Sequence, residues 1–237
     1  MMPERQENLT FRALSALLTY PTEELCSAVA EIEKVITSEG LVPASAAKAL
    51  RPLLDDLASL DLFELQERYV ELFDRTRRLS LHLFEHVHGE SRDRGQAMVD
   101  LASLYEKGGL ELSANELPDY LPLFLEYLST RPRDEALNLL GETVHILGAL
   151  EERLVHRNSP YAAVLTAIRV MAGVSLEASD GQEMAEAPFG DLAALDAEWE
   201  ETAVNFGPGS SGMDGCSNER LQTRLRAARR DARTNAG

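Results

Sequence analysis

From Phe11 to about Leu176 the apolar residues recur at helical spacing, in blocks cut by proline and glycine. An apolar stripe at i, i+3, i+4 and i+7 gives a helix one face to bury, and neighbouring helices are what can cover it. The β-branched residues come scattered rather than in alternating runs, and Leu, Ala and Glu abound, so the pattern selects helix over strand. The expected fold is all-α: a single-domain bundle of about eight to ten helices. A chain of 237 residues is long enough for one such core with an appendage.

The punctuation divides the chain. Asn8 or Thr10 caps a first short helix carrying Phe11, Leu14, Leu17 and Leu18, and Pro21 ends it. Thr22 is the next N-cap, with Glu23 and Glu24 placed where the helix dipole favours acid. Leu25, Val29, Ile32 and Ile36 follow, up to Gly40. Pro43 opens a third helix running through Leu50, Leu53, Leu54 and Leu57. Asp61 and Glu64 have capping-box spacing ahead of Leu65, Tyr69, Leu72 and Phe73. A basic, polar break follows from Asp74 to Ser80. Ser91 caps a helix with Met98, Leu101 and Leu104 that Gly108 and Gly109 stop. Pro118 and Asp119 begin the next, ended near Arg131–Pro132, and one long helix is expected from Arg133 to Arg157. Ser159–Pro160 restarts the chain before Val164, Leu165, Ile168 and Met171, and a last helix is expected from Asp191 through Trp199 to Phe206. The expected organisation is a helical domain over 1–206, a Gly/Ser-rich linker over 207–217, and a flexible Arg-rich C-terminal tail over 218–237.

Charge narrows the function. The chain holds 40 Asp and Glu against 23 Lys and Arg, a net of -17. Leaving out the tail beyond residue 217 leaves 17 basic and 38 acidic residues, a net of -21 for the body. Such a surface repels phosphate backbones, which argues against nucleic acid, and attracts a basic partner. Cys26 and Cys216 lie far apart with no Cys-x-x-Cys spacing, as expected of a reducing compartment. The opening MMPERQENLT has no apolar core of a signal peptide, and no run reaches the roughly 20 apolar residues of a membrane span. A cytoplasmic protein without membrane insertion is expected.

Two stretches stand out. In LHLFEHVHGESRDRGQAM, Leu81–Met98, the histidines His82, His86 and His88 lie among Glu85, Glu90 and Asp93. Imidazole and carboxylate suit zinc or iron, and Glu85–His88 and Glu142–His145 have the Glu-x-x-His spacing of di-iron bundles. A metal-binding helical enzyme or carrier is therefore the alternative reading. Gly89 counts against it by breaking the helix directly after His88. No nucleophile elbow, Walker loop or dinucleotide fingerprint is present, and no enzymatic activity is expected. In the second stretch, NELPDYLPLFLEYL, the residues Leu117, Leu121, Phe124, Leu125 and Leu128 share a stripe. Tyr120, Leu123 and Tyr127 fall on other faces, so the helix is either wholly buried or lines a groove. With Glu116, Asp119 and Glu126 at its edges it would suit an amphipathic peptide bearing cations.

The runs YVELFDRTRRLSLHLFEHVHGESRDRGQAMVDL and ELPDYLPLFLEYL resemble the NarJ/NarW family of nitrate reductase assembly chaperones, part of the TorD-like class of redox-enzyme maturation proteins. LLTYP at Leu17–Pro21 and LDAEWEE at Leu195–Glu201 fall in the family's order, so the resemblance spans nearly all of the chain to Phe206. It implies a cytoplasmic chaperone that binds the apo form of the nitrate reductase catalytic (alpha) subunit, partly through its N-terminal leader-like segment. Such a protein assists insertion of the molybdenum guanine dinucleotide cofactor before membrane docking, holds no cofactor stably, and leaves before the enzyme is mature. The client-peptide residues expected on this basis are Glu116, Leu117, Asp119, Tyr120, Leu121, Leu123, Phe124, Glu126 and Tyr127. The first motif supplies candidate contacts for client or cofactor transfer: Phe84, Glu85, His86, His88, Gly89, Glu90, Arg92, Asp93 and Arg94. Tyr120 stands where the family commonly has His, so the resemblance does not carry over a role that needs imidazole at that position.

Overall fold

The computed structural model describes residues 8–87, 92–113 and 116–173. Within them the chain is helical, and the only β pairing is an isolated antiparallel bridge between His82 and Tyr120. The ten α-helices among these residues are α1 (Leu9–Leu17), α2 (Glu23–Glu39), α3 (Ala44–Ala49), α4 (Arg51–Ser59), α5 (Leu62–Tyr69), α6 (Arg92–Gly108), α7 (Leu121–Ser129), α8 (Arg133–Gly141), α9 (Val144–His156) and α10 (Ala162–Met171). The expected all-α bundle is therefore what the chain forms. The helix expected at Asp191–Phe206, the linker and the tail lie outside the described residues.

Helix α2 follows from local chemistry alone. The Thr22 hydroxyl accepts the Leu25 N–H at 3.2 Å, and Gly40 ends the helix with a left-handed φ of 66°. Two expected helices are instead split. Pro52 has no N–H to donate and its ring collides with the carbonyl of residue 48 in a continuous helix, so α3 stops at Ala49 and α4 restarts around Leu50. The long helix expected from Arg133 to Arg157 breaks at Glu142–Thr143. There the amides of Glu142 and Thr143 reach back only three residues, to Leu139 and Leu140, and the Thr143 hydroxyl donates to the same Leu140 carbonyl at 2.8 Å. The last turn of α8 is thereby tightened and closed. After α5 the helix continues as a π-turn, Val70–Asp74, with Arg75 N–H on Val70 O at 3.1 Å. Asp61 does cap α5, accepting from Phe63 N–H, but Glu64 pairs with Arg68 instead of completing a capping box.

Helix α7 lies at the centre. Leu121, Leu123, Phe124, Leu125, Tyr127 and Leu128 are all buried, whereas Glu126 is exposed, so its apolar content on several faces reflects full enclosure. Helix α1 runs antiparallel along it: the amide of Asn8 donates to Ser129 O at 3.0 Å, and Ser15 Oγ donates to Pro122 O at 2.6 Å. Of the two expected caps of α1, Asn8 turns its side chain to Arg131 O at 2.8 Å and Thr10 lies inside the helix. The capping is done by Glu39 at the end of α2, whose carboxylate accepts from the amides of Leu9 and Thr10 and from the Thr10 hydroxyl at 2.6–2.8 Å. Since loss of an N-cap costs about 1 kcal/mol, Glu39→Ala is expected to lower unfolding free energy by roughly 1–2 kcal/mol in urea titration. An unchanged midpoint would show that water serves those amides equally well.

Candidate functional site

The two recognised motif stretches meet at one side chain. Asp119 is 0% exposed, and its carboxylate accepts from His82 Nδ1 at 3.1 Å and from the Phe84 amide at 3.2 Å. Arg94, from α6, lies 4.0 Å from the same carboxylate and 3.4 Å from Glu85. The backbones join as well: Leu83 N–H donates to Asp119 O at 2.9 Å and Leu121 N–H to Leu81 O at 2.8 Å. Because residues 119 and 120 are held in this bridge, α7 starts at Leu121 and not at the expected Pro118–Asp119. A buried carboxylate needs such donors, and here they come from two separate segments, the 82–84 stretch and α6.

Tyr120 extends the junction. Tyr69 has one hydroxyl proton, which it gives to Leu18 O at 2.9 Å, so the 3.1 Å contact between the two phenols is donated by Tyr120. Its ring lies 5.4 Å from that of His82, and Tyr69 in turn meets Tyr20, Phe73 and Tyr161. Burial raises the pKa of both Tyr69 and Tyr120, so the pair stays protonated. Below the junction, Tyr105 donates to Pro118 O at 2.7 Å, and its ring centroid stands 4.8 Å from Tyr127. Tyr69, Tyr105 and Ser80, whose hydroxyl accepts the His82 N–H at 3.2 Å, also hold the junction, although none was among the expected site residues. Tyr69 and Tyr120 are 51 positions apart, so only the fold joins them.

The expected client residues thus separate into two groups. Asp119, Leu121, Leu123, Phe124 and Tyr127 are interior, committed to the junction and the core. The Asp119 carboxylate, expected at the edge where client cations would lie, is turned inward to His82, the Phe84 amide and Arg94. Leu117, 48% exposed, with exposed Glu116 and Glu126 and half-buried Tyr120, faces outward. From the first motif, Phe84 is buried while Glu85, His86 and Arg94 are half-buried. His88, Gly89 and Glu90 lie outside the described residues, as do the side chains of Arg92 and Asp93.

For the alternative metal reading, His82 is turned to Asp119, His86 Nε2 donates to Ser80 O at 2.8 Å, and His145 is exposed at the start of α9 beside Glu142. No group of three His, Cys, Asp or Glu suited to a metal forms among the described residues. Burial lowers the His86 pKa, aided by Arg153 and opposed by the Ser80 bond and the charges of Glu85 and Asp119. The native state then binds its proton less readily than the unfolded chain. Stability is full above the unfolded value, about 6.5, and falls as the pH drops toward the lower native value. Urea titrations of wild type and His86→Gln should show a steeper loss on acidification for the wild type; parallel pH profiles would assign the loss to other groups.

Among the described residues no helix is long and apolar enough to cross a membrane. The model of the nitrate reductase delta subunit family matches residues 39–167. The nitrate reductase molybdenum cofactor assembly chaperone NarJ of Escherichia coli K12 is 44% identical over 195 residues, covering 81% of this chain and 83% of that protein. NarW of the same strain is 42% identical over 197 residues, covering 82% of each. The NarJ similarity is longer than the stretch up to Gly173, so it continues past the last described residue. A solved chain from Archaeoglobus fulgidus, assigned as a redox enzyme maturation protein, superposes with a TM-score of 0.52 at 22% identity, covering 70% of this chain and 94% of that one, which speaks to the fold. With both motif stretches joined at Asp119 inside the matched region, this chain belongs to the nitrate reductase delta subunit family, among its NarJ/NarW assembly chaperones.

Proposed function

We propose that the protein is a dedicated cytoplasmic chaperone of respiratory nitrate reductase. It binds the apo catalytic subunit, including its N-terminal leader-like segment, keeps it competent for insertion of the molybdenum guanine dinucleotide cofactor before membrane docking, and then departs without joining the mature enzyme. The observation that carries this reading is the 44% identity, over 81% of the chain, to a protein named for that assembly role. The net charge of -17 supports it, since a leader-like segment brings cations beside apolar anchors and an acidic body speeds the encounter. The 1–206 helical domain is the binding unit in this proposal, with the linker and Arg-rich tail as appendages.

The outward edge of the junction is the proposed contact: Leu117 and Tyr120 take the apolar face of the peptide, and Glu116 and Glu126 its cations. Asp119, Leu121, Phe124 and Tyr127 hold that edge in place from within. A buried apolar anchor contributes about 1.5–3 kcal/mol, and Leu117 is only half-exposed, so Leu117→Asp should weaken binding of the catalytic subunit's N-terminal peptide roughly tenfold. Glu116→Lys should weaken it further at low salt than at high salt. Isothermal titration with the synthetic peptide reads both. Affinity indifferent to Leu117→Asp and to Tyr120→Ala would remove this edge from the binding site.

A further inference from the structure

A groove of about 680 Å³ opens on another part of the molecule, between the end of α2, the Gly40–Pro43 turn, α3 and the start of α4. Its floor is apolar, formed by Ile36, Val42, Ala47 and Leu54. Of the charged side chains that line it, Arg51 is paired with Glu33 at 2.6 Å and with Asp55 at 3.0 Å, and exposed Lys48 makes no ion pair among the described residues, which leaves it as the cation on offer on a protein whose net charge is -17. That sign is wrong for a basic leader and right for an acidic ligand.

The chain carries such a ligand in its own sequence. Between Asp191 and Phe206 the residues Leu192, Leu195, Trp199 and Phe206 fall on one helical stripe, while Asp196, Glu198, Glu200 and Glu201 supply negative charge with no base among them. The described chain ends at Gly173, just past α10, and α10 packs against α3, which forms one wall of the groove. The intervening stretch 174–190 can span about 55 Å when extended, more than the roughly 40 Å breadth of a body this size. We propose that segment 191–206 docks in this groove of its own chain, with Trp199 as the anchor and Lys48 facing its acids. Tethering supplies an effective concentration on the order of millimolar, so even a weak intrinsic affinity keeps the groove occupied. The client edge at Leu117 and Tyr120 is lined by other residues, so self-docking and client binding stand or fall separately.

Trp199 is the only tryptophan, which makes the test direct. Acrylamide quenching of the full-length protein is compared with that of a synthetic 191–206 peptide. The proposal expects Trp199 to be protected in the protein, and Ala44→Glu with Lys48→Glu, both at exposed positions, to raise quenching to the level of the free peptide while helical circular dichroism is unchanged. Thr37→Glu, exposed on the opposite wall, should do the same by repelling the acidic segment, and serves if the double variant loses helix. Quenching equal to the peptide's in the wild type overturns the proposal. So does protection that survives both variants, which would place the segment elsewhere. Protection lost on dilution would mean a second copy's segment fills the groove, and overturns docking within one chain.

Discussion

Asp119→Ala is expected to lower the unfolding free energy by about 3 kcal/mol, among the largest effects of any single substitution in the motif stretches. Three consequences combine. Two charge-assisted hydrogen bonds are lost, from His82 and from the Phe84 amide. The buried Phe84 N–H is left without its carboxylate acceptor, at a penalty of about 1–3 kcal/mol. Arg94 loses one of two neighbouring acids. Relief from burying a carboxylate offsets part of this, and His82 and Arg94 keep some access to water, so the loss falls short of the roughly 3–5 kcal/mol typical of a fully buried broken pair. Asp119→Asn, which still offers an oxygen to one donor, should fall between. Urea titration gives the ranking; an Asp119→Ala protein as stable as wild type would mean the junction is not held by this carboxylate. The peptide-binding consequence follows indirectly, through the position of Tyr120, and should be smaller in Asp119→Asn than in Leu117→Asp.

Tyr127→Ala is expected to cost about 3–5 kcal/mol. The ring is 1% exposed, stacks against Tyr105, and lies so near Gly108 that a Cβ there would stand 2.5 Å from its Cε2 atom. Arg131 covers its other side, 5.6 Å from the ring centroid. The cavity cannot close easily, because the neighbours belong to α6 and to the α7–α8 turn, each tied elsewhere. Thermal and urea unfolding should both register the loss. Where the variant remains folded, its affinity for the client peptide should stay near wild type, since the ring packs the interior. A stability loss under about 1 kcal/mol together with a binding defect would reverse that assignment and make Tyr127 a contact residue.

These two residues show where sequence reading stops. The stripe Leu121, Phe124, Leu125, Leu128 is legible as helical periodicity, and so is the presence of Tyr127 and Leu123 on further faces. Whether such a helix lines a groove or is enclosed depends on what lies against it. Here α1 covers it, fixed by Asn8 at one end and Ser15 at the other. Asp119 reads as a helix-start acid at the surface because acids are usually solvated there. Its burial follows from donors 37 and 35 residues away, which no local pattern discloses. Pro52, by contrast, is a local signal for the break between α3 and α4, although the leucine stripe continues across it.

The sequence by itself determined the class of fold and the course of its self-contained elements. Apolar spacing requires faces to be buried, and Thr22 and Gly40 begin and end α2 through bonds and backbone angles within a few residues of each other. The two motif stretches were likewise enough to indicate the family. Tertiary structure decided which residues face water: Glu39 caps a helix other than its own, Tyr120 completes a chain of hydroxyls with Tyr69, and Asp119 turns inward. The physical reason is common to all three. A polar group is satisfied by whichever donor or acceptor the fold brings near it, and those partners are set by packing across the bundle, not by position along the chain.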